Sequence, residues 1–63
     1  MDHFFVIKNL TTGWFYVSDG NYSERIILAN RFESHESAQI KISELPKGFY
    51  EIIKVYEQWK RQE

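Results

Sequence analysis

The chain has 63 residues, with nine acidic against eight basic side chains, a net charge of −1 and no cysteine. That is room for one domain, without disulfides or a thiolate metal site and without the basic surplus of a dedicated nucleic-acid binder. A fold this small buries only about 60% of the surface of its unfolded chain, so it must rely on dense apolar packing, and the 17% of residues that are aromatic can supply it. No apolar run approaches the roughly 18 residues that span a bilayer. The N-terminus has no basic region leading into an apolar stretch. A cytoplasmic protein with no membrane partner is the expectation.

In chain order, His3 to Asn9 carries Phe4, Phe5, Val6 and Ile7 and reads as a strand. Asn9 and Gly13 bracket a short polar loop, and Trp14 to Val17 resumes the strand pattern, so the two runs form a hairpin. Asp19-Gly20-Asn21 is a turn signal. Arg25 to Leu28 fits either a short third strand or a buried connector. In "ANRFESHESAQ", Ser34 can cap a helix by accepting a bond from a first-turn amide. Glu36 complements the helix dipole, and Phe32 can staple back onto the helix. Ala38, Ile42 and Leu45 form one helical stripe that leaves Ile40 aside, and Pro46 and Gly48 end a helix of about ten residues. Phe49 to Tyr56 is the clearest strand, and residues 56–63 are expected to fray or form a last turn. The predicted fold is α+β: one small antiparallel sheet of three or four strands with one helix packed on one face, in the order β-β-(β)-α-β.

His35 lies among Ser34, Glu36 and Ser37, the one local cluster that resembles catalytic equipment. Adjacent helical residues point in different directions, and a general base needs its nucleophile within hydrogen-bond reach, so the cap is the better account. His3 and His35 are the only histidines, and their spacing does not suggest a metal site. "DGNYSE" lacks the alternating ligands of a calcium loop, and the three glycines sit beside turn signals, not in a phosphate loop. No catalytic residue, metal or cofactor is expected.

The aromatics carry more information. Alternation places Phe4 and Val6 against Phe5 and Ile7, Trp14 and Tyr16 against Phe15 and Val17, and Phe49, Ile53 and Val55 against Tyr50, Ile52 and Tyr56. Both sheet faces are apolar, and one helix covers one of them. The uncovered face is expected to show some of Trp14, Tyr16, Tyr50 and Tyr56, residue types favoured as anchors in protein contacts.

Residues Thr12, Gly13, Ala29, Phe32, Ser34, Glu36 and Ala38, within "FVIKNLTTGWFYV", "ANRFESHESAQ" and "LPKGFYEIIKVY", resemble a small module common in phage genomes. In that module a hairpin with a T-G turn leads to an A-x-x-F-x-S-x-E-x-A helix start and a closing strand. The helix and closing strand are more loosely similar to the small RNA-polymerase inhibitors of T7-type phages, without a clear counterpart of their acidic contact surface. In size and style the chain is similar to anti-CRISPR and other anti-defence proteins. The resemblance implies a non-enzymatic inhibitor that occludes a host protein complex, either a defence effector or RNA polymerase. The expected contact residues are Trp14, Tyr16, Tyr50 and Tyr56, with Asp19, Tyr22 and Glu24 from the long loop. Two alternatives stand beside it. One is a single-stranded nucleic-acid binder that stacks bases on the aromatic face near Lys8, Lys54, Lys60 and Arg61. The other is a self-associating protein whose aromatic face is a homodimer interface.

Overall fold

A computed structural model describes residues 2–57. Among the described residues are four strands, β1 (His3–Asn9), β2 (Phe15–Ser18), β3 (Asn21–Ser23) and β4 (Tyr50–Tyr56), and one α-helix, α1 (His35–Glu44), which precedes β4. The sheet is antiparallel throughout, in the order β3-β2-β1-β4. The α+β fold with one helix on a small antiparallel sheet is therefore present. Its third strand lies at residues 21–23, and Ile26–Leu28 forms a 3-10 turn with all three side chains exposed. Arg25 to Leu28 is neither a strand nor a buried connector. Two residues, Asp19 and Gly20, close the β2-β3 turn, with Gly20 at φ +82°, so the chain reverses early and the third strand comes directly after it. The expectation for residues 58–63 lies outside the described residues, while Tyr56 belongs to β4.

The first hairpin forms for local reasons. The Asn9 side-chain oxygen accepts the Thr11 amide at 2.8 Å and the Gly13 amide reaches the Asn9 carbonyl at 2.7 Å. Gly13 closes the loop at φ +80°, a conformation open to a residue without a Cβ. β1 then pairs with β4 over seven residues, from His3–Tyr56 to Asn9–Tyr50. With β2 it registers only at Lys8–Phe15. Beyond that point Phe32 takes the place beside β1, exchanging backbone bonds of 2.9 and 2.8 Å with Phe5, while the Asn30 amide donates to the Tyr16 carbonyl. Residues 30–32 thus wedge between β1 and β2.

The helix start follows its cap. The Ser34 hydroxyl accepts the Ser37 amide at 3.0 Å, and the Ser37 hydroxyl accepts the Ser34 amide at 3.3 Å, a capping box built from two serines. Glu36 lies in the first turn. Ala38 is fully buried, and Ile42, Leu45 and Phe32 pack with it against Ile7 and Tyr16. Ile40 is left 57% exposed, off the stripe as expected. Leu45 turns extended ahead of Pro46 and ends the helix.

Candidate protein-binding surface

Strand parity and the observed packing assign the two sheet faces. The helix covers Phe5 and Ile7 of β1, Tyr16 of β2, Tyr22 of β3, and Tyr50 and Ile52 of β4, which all belong to the cluster around Ala38. The opposite face carries Phe4, Val6 and Lys8 on β1, Phe15 and Val17 on β2, and Glu51, Ile53 and Val55 on β4. Of the four aromatics from which the uncovered face was expected to draw, Tyr16 and Tyr50 lie on the helix side instead. Tyr16 is only 5% exposed. Its ring meets Tyr22 edge-on at 5.9 Å and stacks on Phe32 at 6.2 Å. The physical reason is the tyrosine hydroxyl: a ring can be buried while its tip reaches a polar partner at the rim. Tyr16 donates to Asp19 at 2.9 Å and Tyr50 donates to the Pro46 carbonyl at 2.6 Å.

The remaining expected contact residues are scattered. Trp14 is exposed just before β2, its amide bound to the Thr12 hydroxyl. Tyr56 is exposed at the far end of β4, beside His3 and under the Lys54 ammonium. Glu24 is exposed just before the 3-10 turn. Asp19 and Tyr22 do come together. With Lys41, Glu44, Leu45 and Pro46 they line an open depression of about 240 Å³ between the β2-β3 turn and the end of α1. Lys41 bridges its two carboxylates, 3.1 Å from Glu44 and 3.8 Å from Asp19. The hydrogen bond it donates to the Glu44 carboxylate and the charge of Asp19 hold its ammonium above the ordinary lysine range, against the opposing effect of desolvation. Burial, with the Asp19 carboxylate beside it, raises the Tyr16 phenol above 10.0, and burial, with Tyr50 nearby, does the same for Tyr22. Among the described residues, the one cation in this depression is already paired with two carboxylates, so the site has no free positive charge to offer a ligand.

The uncovered face differs in chemistry. Its aromatics are phenylalanines, and Phe4, Phe15, Val17, Ile53 and Val55 are half-buried, with no helix over them among the described residues. Val6 at its centre is fully buried. The 3-10 turn packs beside β2 and takes no part in the helix-side cluster, and it leaves Ile26, Ile27 and Leu28 at 43%, 67% and 53% exposure. At the end of the sheet Leu10 and Phe49 meet in register, bonded from the Leu10 amide to the Phe49 carbonyl, and both are exposed. These residues were missing from the expected contact set. The signal that could have found them is the uninterrupted Ile26-Ile27-Leu28 run, which no alternation folds inward.

The charges on this face cover its rings. The Arg31 guanidinium lies 4.3 Å from the Phe4 centroid and pairs with Glu57, and Lys8 lies 5.8 Å from Phe15. A base stacking on either ring would have to displace a cation that already occupies it. His35 packs edge-on against Phe5 at 6.0 Å, on the helix side. Among the described residues no group of three or more His, Asp or Glu side chains could hold a metal ion, and no helix is long and apolar enough to cross a membrane. No family model, curated protein or solved structure matches the chain.

Proposed function

We propose that this chain is a non-enzymatic protein-binding module whose contact surface is the uncovered sheet face together with the Ile26–Leu28 turn. The observation that carries the reading is the exposed Ile26-Ile27-Leu28 run beside a sheet face of Phe4, Phe15, Val17, Ile53 and Val55. Apolar surface of this extent on so small a fold marks a contact site for another protein. Arg31, Lys8 and Glu51 supply a polar rim around the apolar centre. The resemblance to phage modules adds the finer reading: a phage-encoded inhibitor in the host cytoplasm that blocks a host machine, a defence effector or RNA polymerase, by covering a site the machine needs.

The test is capture from host lysate with the tagged chain and with the double variant Ile27→Glu, Phe49→Glu, at two of the most exposed apolar positions. The reading predicts a stoichiometric host protein complex retained by the original chain and lost by the variant, with unchanged circular dichroism. Equal retention by both chains, or recovery of nucleic acid released by salt, contradicts it.

A further inference from the structure

We propose that the outer edge of β4 is a self-association site, at which two copies pair antiparallel about a two-fold axis through Ile53 and join their sheets into one. The inference goes beyond the partner-binding reading and holds whether or not the uncovered face takes a foreign protein.

β4 is a terminal strand of the sheet, and its seven residues pair with β1 on one side only. Among the described residues no backbone hydrogen bond reaches its other side. The direction of its backbone groups follows from two bonds. The Leu10 amide donates to Phe49 at 2.8 Å and the Glu57 amide donates to Asp2 at 3.1 Å, so residues 49 and 57 turn their backbone groups toward β1. In an antiparallel ladder this alternates with period two. Residues 51, 53 and 55 therefore also serve β1, and Tyr50, Ile52, Lys54 and Tyr56 aim their N–H and C=O groups outward. A long, regular edge of this kind is a template for another strand.

The side chains favour a second copy as that strand. With the axis at Ile53 all seven residues pair: Tyr50 with Tyr56 at both ends, Glu51 with Val55, Ile52 with Lys54, and Ile53 with its own copy. The outward-facing residues 50, 52, 54 and 56 meet one another, as bonded pairs require. Aromatic pairs close both ends, and no like charges stand directly opposite. The two Lys54 ammoniums are diagonal neighbours, and each has its own Tyr56 ring at 5.2 Å. An axis at Lys54 would set two ammoniums face to face, and an axis at Ile52 would lose both tyrosine pairs. Ile53 and Val55 also lie on the uncovered face, so the pairing extends that apolar surface across both copies.

Sedimentation velocity of the full chain from micromolar to millimolar concentration tests this. The mass is expected to rise from 7.6 kDa toward twice that value. Lys54→Pro removes one outward donor without touching the β1 ladder; it is expected to weaken association by about tenfold or more with unchanged circular dichroism. A chain that stays monomeric at millimolar concentration overturns the proposal, as does a folded Lys54→Pro that associates like the original. Should Lys54→Pro fail to fold, Ile53→Cys decides, because the chain has no other cysteine. Directly opposed residues of a non-bonded antiparallel pair lie about 4.5 Å apart at Cα, within disulfide reach. Ile53→Cys is expected to oxidise to a covalent dimer faster than Ile27→Cys at the exposed turn, and no difference between the two overturns the proposal.

Discussion

The two faces of the sheet are equally apolar in the sequence and unlike in the structure. The helix side gathers Tyr16, Tyr22 and Tyr50 with Phe5 and Phe32 under Ala38, Ile42 and Leu45. The other side has phenylalanines and aliphatic residues and two cations lying over rings, and a 3-10 turn with three exposed apolar side chains lies next to β2. Tyrosines go into the core here because Asp19 and the Pro46 carbonyl take the hydroxyls of Tyr16 and Tyr50 at its rim. The lesson is that residue type alone does not mark the exposed face. A tyrosine makes a good contact anchor and an equally good core residue when a rim acceptor is in reach.

The comparison can be broken first at the strand that serves both faces. Ile7 and Val6 are adjacent on β1, both fully buried, and point to opposite sides. Ile7→Ala opens a cavity under the helix and is expected to cost about 2–5 kcal/mol in denaturant unfolding. Val6→Ala is expected to cost about 2 kcal/mol, because the centre of the uncovered face is closed even though its margin is open. A loss below about 0.5 kcal/mol for Val6→Ala, the size of an ordinary surface change, would mean that this face has no interior of its own.

Alkaline unfolding sharpens the contrast, because the tyrosines of the sheet interior lie on the helix side. The Tyr16 and Tyr22 phenols are held above 10.0, chiefly by burial. Above that pH the unfolded chain releases their protons while the folded chain keeps them, so the contribution of these two phenols to stability is constant below about pH 10 and falls as pH rises past it. Tyr16→Phe is expected to make this decline shallower in pH-dependent melts and leave Phe4 and Phe15 on the other face without effect. An unchanged slope would contradict the burial of Tyr16. The smallest effect is expected at Ile27: Ile27→Ala should stay within about 0.5 kcal/mol of the original stability while weakening partner capture. A larger stability loss would make the 3-10 turn a packing element, not a contact one.

Much of the fold was legible in the sequence because its signals are local. Asn9 and Gly13 set the first hairpin, Ser34 the helix start, Pro46 its end, and the apolar run from residue 49 to 56 the last strand, whereas the pairing of β1 with β4 is long-range and carries no local signal. Ser37 adds a capping box to the expected Ser34 cap, since its hydroxyl lies within reach of the Ser34 amide. What local signals could not decide was which face the helix takes. That depends on the Phe32–Phe5 bridge, which docks residues 30–32 antiparallel to β1 and so parallel to β4. The helix then becomes a crossover between parallel segments, whose handedness is restricted. A single long-range bridge carries that information. Without it, Tyr16 and Tyr50 look like surface anchors, and the three apolar residues Ile26 to Leu28 are too short a run to show a period.

The central claim is that the uncovered face and the 3-10 turn bind protein while the helix side is closed. Amide and methyl shift mapping by nuclear magnetic resonance, with the protein that the chain captures added in steps, tests it most directly. The account predicts changes concentrated at Phe4, Phe15, Val17, Ile53 and Ile26 to Leu28, with the signals of Ile7, Ala38 and Ile42 unmoved. Changes confined to α1 and the Asp19, Lys41 and Glu44 depression would contradict it.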